Sequence, residues 1–295
     1  MMRVTQGMIS QDFLRQLNNS TSTLATLQQQ LMTGNKITKP SQDPVIATLG
    51  IAYRTDVTHV DQYSRNMDTV HQWMDSSDDA LSEANKVLTR ISELTTEASN
   101  DTYTADQRAD VEKEIDQLKQ QLASVANTQV AGKYIFNGTQ TSTKPINDDY
   151  TLNYDPDEVK DVTIAVNKGV NIQVNVNPND VFSQSLFDDI GDLQDALKDS
   201  ESTGQDISHY ISVIQGHMDE VTSAQADLGA RENRVDLTDN RLADQKDSTE
   251  TIMANNEGAD FETTLVEYET QQTIHNAALA VGSKIMQTTL VDFLK

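Results

Sequence analysis

Cysteine is absent from this 295-residue chain, which removes disulfides, thiolate nucleophiles and Cys-ligated metal together. A long chain without disulfides has to be held by packing. Aromatic residues make up only 5% of it and hydrophobic residues 36%, with a single tryptophan, Trp73. That is thin for compact cores and ordinary for long helices. Positive charge is scarce as well, with 22 Lys and Arg against 46 Asp and Glu, a net charge of -24. Such an anion is repelled by nucleic acid and by acidic membrane surfaces. No basic stripe reverses this, so neither nucleic acid nor membrane is expected as a partner. No apolar run approaches the roughly 20 residues of a membrane span. The opening MMRVTQGMISQDF lacks the charged, apolar, small-residue order of a secretory signal. The expectation is a cytoplasmic protein, or one exported by a route that does not use that signal.

Both ends of the chain are apolar at helical spacing. Phe13, Leu17, Leu24, Leu27 and Leu31 form one seam, and Phe261, Leu265, Tyr268, Leu279, Met286 and Phe293 form another, widened by Ala277, Ala278, Val281, Ile285, Leu290 and Leu294. Chain ends normally fray because little holds them. Ordering a lone end helix costs more backbone entropy than one seam returns, so the ends are expected to be covered by copies or partners. These seam residues are the candidate subunit interface.

Between the ends, the spacing predicts a helix over about 5–33 that stops at Gly34, then a polar loop. Asp43-Pro44 reads as an N-cap followed by proline at the first helical position. A second helix runs from there to about residue 99, roughly 80 Å at 1.5 Å per residue. Thr104-Ala105-Asp106-Gln107 has capping-box form and opens a third helix, with Gly132 expected to end it. Between about 133 and 182 the period changes to two. Val162, Ile164 and Val166 alternate, then Val170, Ile172, Val174 and Val176, joined by Asn167-Lys168-Gly169 as a hairpin loop; Tyr150, Leu152 and Tyr154 predict a third strand. Helix resumes over 185–198 and from Ile207, pauses near Gly258, and restarts with Asp260 as a cap. The expected fold is mainly α: a long antiparallel bundle or coiled coil formed by both termini, with a small antiparallel β-rich insert. Its expected domains are an assembly helix (1–40), two halves of a helical rod (41–132 and 183–258) around the outer insert (133–182), and a C-terminal assembly helix (259–295).

Reactive chemistry is sparse. The five histidines do not cluster. His209 and His217 lie two turns apart, roughly 12 Å, too far to share a metal unaided, and read as exposed polar positions. Asp155-Pro156-Asp157-Glu158 resembles the start of a calcium loop but lacks the mid-loop glycine and the distal acid, so an acidic turn is expected. No phosphate-cradling glycine loop and no Gly-x-Ser-x-Gly elbow occurs. Asp78-Asp79 and Asp188-Asp189 fall on expected helix surfaces and read as solvated faces. Catalytic, cofactor and metal sites are not expected.

Several stretches carry a family resemblance. They are Met2-Arg3-Val4-Thr5-Gln6-Gly7-Met8, Leu31-Met32-Thr33-Gly34-Asn35-Lys36-Ile37, Ser41-Gln42-Asp43-Pro44, Gly132 to Thr139, Leu228 to Arg234, and Ala277 to Leu294. In order along the chain they resemble the bacterial flagellin superfamily, and within it the hook-filament junction group, hook-associated protein 3. Gln42 stands where that pattern has an aspartate. The resemblance covers roughly the first 140 and last 90 residues and leaves out the β insert.

It implies a structural protein of the flagellum, exported unfolded through the flagellar type III channel, which fits the missing signal and missing cysteine. Such a protein assembles in a ring with its own copies, distal to hook-associated protein 1, and presents a surface for flagellin. Before export a cytoplasmic chaperone is implied to shield Leu279, Ile285, Met286, Leu290 and Phe293. The competing readings are flagellin itself, a translocator or needle-tip protein of a virulence type III system, a cytoplasmic signalling coiled coil, and an enzyme carried in the insert. The last is opposed by an insert of 133–182 without histidine or cysteine.

Overall fold

The computed structural model describes residues 6–100 and 102–292, with side-chain detail over residues 8–100 and 102–284. The described chain runs α1 (Gln6–Thr33), α2 (Pro44–Ala98), α3 (Ala105–Ala126), β1 (Gln129–Val130), β2 (Lys133–Tyr134), β3 (Thr163–Asn167), β4 (Val170–Gln173), α4 (Gln184–Lys198), α5 (Gly204–Glu257) and α6 (Phe261–Asp292). It divides into two compact units, a terminal unit of Met1–His59 with Gln245–Lys295 and a central unit of Val60–Asp244. The division falls inside the two long helices, α2 and α5.

Local chemistry sets the helix ends. Gly34 takes φ 69° and lets the chain leave α1. Asp43 Oδ1 accepts the Val45 and Ile46 amides at 2.9 and 3.1 Å, ahead of Pro44, so the first orphan N–H groups of α2 are satisfied. The capping box at Thr104 and Gln107 forms in both directions. Asp260 caps α6 by accepting from the Glu262 and Thr263 amides at 3.1 and 3.2 Å.

In the central unit, α5 presents Ile207, Ile214, Val221, Leu228, Val235 and Leu242, one every seventh residue and none more than 1% exposed. Along α2, Val60, Met67, Met74, Leu81 and Leu88 repeat in the same way. Strict heptads of this kind keep one face turned to a partner helix over many turns. The two run antiparallel, with Gln225 reaching Asp78 (2.9 Å) and Asn85 reaching Thr222 (3.3 Å). The third helix returns along the second, tied by Arg90–Glu114 and Gln121–Glu83, both at 2.8 Å. Lys198–Glu112 (3.0 Å) joins α4 to α3.

The insert shares this core. Phe136 packs edge-on against Phe182 with centroids 5.0 Å apart, and Val166, Ile172, Val174 and Val176 are buried. β3 and β4 form an antiparallel hairpin turned at Gly169, φ 76°, with a register irregularity between Ala165 and Asn167.

Three details depart from expectation. The third helix ends at Ala126, and Gly132 instead makes the tight turn between β1 and β2 with Ala131, at φ 77° and 49°. No third strand forms at Tyr150–Tyr154. Tyr150 has φ 64°, which breaks the extended run, and only an isolated Ile146–Leu152 bridge remains. β4 ends at Gln173, short of the expected Val174 and Val176: one more backbone bond follows, from Val174 N to Val162 O (2.9 Å), but the Val162 amide goes to Asn175 Oδ1 (2.7 Å) in place of a backbone carbonyl.

Candidate assembly surface

In the terminal unit α1 and α6 pair antiparallel. Ser20 Oγ lies 3.2 Å from His275 Nδ1 and accepts from Gln271 Nε2 at 3.1 Å. On α1 the shielded positions Ser10, Phe13, Leu17, Ser20, Leu24, Leu27 and Leu31 form a 3-4 heptad seam containing all five predicted residues, with Thr26 and Gln30 also shielded near its C-terminal end. On α6 they are Thr264, Tyr268, Gln271, His275, Ala278 and Gly282, also in 4-3 alternation. Bulk on one helix meets small or polar groups on the other. Gly282 shows this most directly, since a Cβ there would overlap the Cε1 and Cζ atoms of Phe13.

The seam predicted for α6 is therefore rotated. Of its members with described side chains, Tyr268 and Ala278 lie on the α1 side. Phe261, Leu265 and Leu279 point away, together with Val266, Ile274 and Val281, all between 37% and 64% exposed. The side chains of Ile285, Met286 and Leu290, and the whole of Phe293, lie outside the described residues. The sequence pattern identifies which residues are apolar but not how α6 is turned, because α6 is apolar around much of its circumference. Small side chains at 278 and 282 decide which side α1 occupies.

At the base of this pair the loop after α1 and the break between α5 and α6 meet in a clasp. Asn35 and Gly258 form an antiparallel bridge, with Lys36 N donating to Glu257 O at 2.6 Å and Ala259 N to Gly34 O at 2.7 Å. Lys36 Nζ donates to Asn255 O (2.8 Å), and Asn256 Nδ2 to Ile46 O (3.1 Å). Glu257, only 9% exposed, pairs through Oε2 with Arg54 at 2.5 Å. Its carboxylate lies directly over Gly50, where no Cβ fits. Beside the clasp opens a pocket of about 130 Å³ lined by Ile37, Thr38, Pro40, Ala47 and Ile51 together with the charged Lys39, Arg54 and Glu257.

Elsewhere the charged groups do structural work. His217 is not the exposed residue expected from sequence. It is buried between Asp189 (2.8 Å) and Glu220 (3.1 Å) and links α4 to α5, so Asp189 is not a purely solvated acid either. Its signal in the sequence is heptad position: it follows Ile214 by three residues on the inward face. Lys119 sits 4.7 Å from the Tyr150 ring centroid, and burial lowers its ammonium pKa against the opposing pull of Asp188, Asp116, Asp195 and Asp192. Burial, then the neighbouring Asp78, Asp75 and Asp236, raise the Glu232 carboxyl above its ordinary range. Asp155 caps the short 3-10 turn Pro156–Glu158, in keeping with an acidic turn. Among the described residues no group of three His, Asp or Glu side chains could hold a metal ion, and no helix is long and apolar enough to cross a membrane.

Comparison with known proteins bears on this arrangement directly. The family model for the bacterial flagellin N-terminal helical region matches residues 4–141, and that for the flagellin C-terminal helical region matches residues 211–294. The chain is 23% identical to flagellar hook-associated protein 3 of Escherichia coli (strain K12) over the full length of both, and 23% identical to a flagellin of Bacillus subtilis over 82% of each. A solved structure of a putative flagellar hook-associated protein from Vibrio parahaemolyticus superposes with a TM-score of 0.67 at 19% identity, covering 74% of this chain and all of that one. Hook-associated protein 3 from Legionella pneumophila does so with a TM-score of 0.62 at 14% identity, over 69% of this chain and 98% of its own. The two matched regions take in the terminal pair, the clasp and most of the helical core, and on that ground the chain belongs to the bacterial flagellin family.

Proposed function

We propose that this chain is a structural subunit of the bacterial flagellum at the hook-filament junction, the adaptor on which the flagellin filament is built. The observation that carries the reading is the set of apolar residues that α6 leaves uncovered on two sides of the helix away from its α1 seam. Its intrachain seam is satisfied by small and polar residues, while Phe261, Leu265, Val266, Ile274, Leu279 and Val281 stay exposed. Covering a side chain of this size is worth about 1.5–3 kcal/mol, so two sides with three such residues each favour burial against neighbouring helices. The name of the full-length relative, hook-associated protein 3, supports the junction over the filament proper.

In this reading the terminal pairs of neighbouring copies pack into a ring, hook-associated protein 1 lies on the hook side and flagellin on the other. The chain leaves the cell through the flagellar type III channel. A cytoplasmic export chaperone covers Leu279, Ile285, Met286, Leu290 and Phe293 beforehand; deleting residues after Ala278 abolishes that binding if the assignment is right. The role is structural, with no cofactor. The match to a flagellin over most of both chains favours a filament subunit as the second reading. Deleting the gene in its motile source, with electron microscopy of cells and assay of flagellin in the medium, separates the two. Hooks without filaments and flagellin shed into the medium support the junction. Normal filaments refute it, and loss of filaments without shed flagellin points to the filament subunit.

A further inference from the structure

The pocket beside the clasp is lined by Ile37, Thr38, Pro40, Ala47 and Ile51, and its charged lining of Lys39, Arg54 and Glu257 sums to one positive charge, which is unusual in a chain of net charge -24. Its volume of about 130 Å³ is close to the ~150 Å³ at which an apolar cavity accepts a benzene-sized group. A single branched side chain fits. Lys39 stands at the rim beside Arg54, whose guanidinium is already paired with Glu257 but remains 59% exposed. The occupant this asks for is an exposed aliphatic side chain with carboxylates about one helical turn to either side.

The described surface offers one such element. Leu265 and Val266 on α6 lie between Glu262 and Glu269, which fall a turn before and a turn after them on the same helix face, and both glutamates are exposed. Val266 is 64% exposed, so it does not fill the pocket of its own chain. Other exposed aliphatics have the wrong surroundings. Ile51 adjoins Arg54, Leu237 lies between Arg234 and Arg241, and Leu14, Met32, Ile252, Ile274 and Leu279 have no acid a turn away on both sides.

We propose that the clasp pocket is the socket for Val266 of a second copy of this chain, with Lys39 and Arg54 facing the partner's Glu262 and Glu269. The contact is heterologous, because each copy offers a socket at one place and a knob at another, and contacts of that kind propagate into rings or helical arrays. This inference rests on the assembly reading above and names the surfaces that reading leaves open. Burying the knob supplies apolar area, and the two charge pairs fix its orientation.

The test replaces Lys39 with a photoactivatable amino acid in the otherwise complete chain, expressed in cells whose own copy is deleted. Sheared flagella are irradiated and the adduct is mapped by mass spectrometry. The expected product is a dimer of this chain, joined from residue 39 to the stretch 262–269. An adduct to flagellin or any other protein, an adduct to a different stretch, or no adduct at all overturns the socket. A second measurement is charge reversal: Lys39→Glu is expected to reduce swimming-ring diameter at least twofold, and adding Glu262→Lys with Glu269→Lys in the same chain to restore it. Absence of rescue overturns the pairing. Filament growth on the same cells is scored separately. Filaments with no 39-to-262–269 adduct remove the socket and leave the junction role standing, whereas normal filaments on the deletion strain remove the junction role.

Discussion

Gly50→Ala sets two effects of similar size against each other. In an exposed helix interior alanine is better than glycine by about 1 kcal/mol, so on propensity alone the change stabilises α2. The clasp opposes this. A Cβ at residue 50 overlaps Glu257 Oε1 and lies 2.7 Å from Glu257 Cδ, where carbon atoms need about 3.5–4 Å. With Oε1 nearer still than Cδ, the carboxylate has to move by roughly 2 Å to reach that separation, and the 2.5 Å bond to Arg54 goes with it. A hydrogen bond between charged groups contributes about 1.5–3 kcal/mol; with Arg54 59% exposed, about 2 is the fitting figure. The net is a loss of about 1 kcal/mol, or roughly fivefold in the local opening equilibrium.

Hydrogen exchange at the Lys36 and Ala259 amides reads this directly, since both donate within the clasp. Their exchange should speed up about fivefold in Gly50→Ala. In a Glu257→Ala background no carboxylate remains to be displaced, and the same substitution should slow exchange by a similar factor. A Gly50→Ala protein whose clasp amides exchange more slowly than the parent's would refute the reasoning, because the two effects predict opposite signs.

Three further outcomes follow from the same structure. Gly282→Val drives a side chain into the Phe13 ring and should cost about 1–3 kcal/mol of overpacking, seen as faster proteolysis of residues 8–33 while the central unit's melting temperature stays fixed. Thr104→Ala removes the hydroxyl that caps α3 and should cost about 1 kcal/mol, with the lowered melting temperature showing in the central unit. Glu232 has a folded-state pKa raised above its unfolded value, so the native state holds its proton more tightly and the residue weakens folding once ionised. Glu232→Gln should therefore melt above the parent at pH 7. That gap should close as pH falls through the raised value toward the ordinary carboxylate range near about pH 4; a gap constant with pH refutes the assignment.

The helices of the central unit were legible because their heptads are long and each end has a chemical stop. Asp43-Pro44, Thr104 with Gln107, and Asp260 all cap as their residue types dictate. Gly169 turns a hairpin, as a glycine between two alternating runs should. The failures have specific causes. Tyr150 alternates with Leu152 and Tyr154 as a strand residue would, yet it takes positive φ and stacks on Phe187, centroids 6.2 Å apart, a tertiary contact no local pattern carries. His217 was misplaced because polarity was weighed above its register with Ile214. On α6 the apolar residues were found and the inward face was not, since Thr264, Gln271 and His275 carry no hydrophobic signal and only the bulk of Phe13 opposite Gly282 explains their burial. The clasp is invisible in the sequence for a different reason: its bonds join segments more than 200 residues apart, and most of them end on backbone groups, which carry no side-chain signal.

The unequal seam of the terminal pair also acts as a registration mark. Among the described seam positions of α6, Gly282 is the one that lies against the Phe13 ring, where a Cβ would overlap it. A slide of one heptad keeps every seam position facing a seam position, which is the usual way helix pairs go astray, but it puts Phe13 on His275 and leaves Gly282 facing a shorter stretch of α1. The Asn35–Gly258 bridge pins the opposite end of the pair. The two helices are thus gauged at both ends, and the chain has a single alignment to reach.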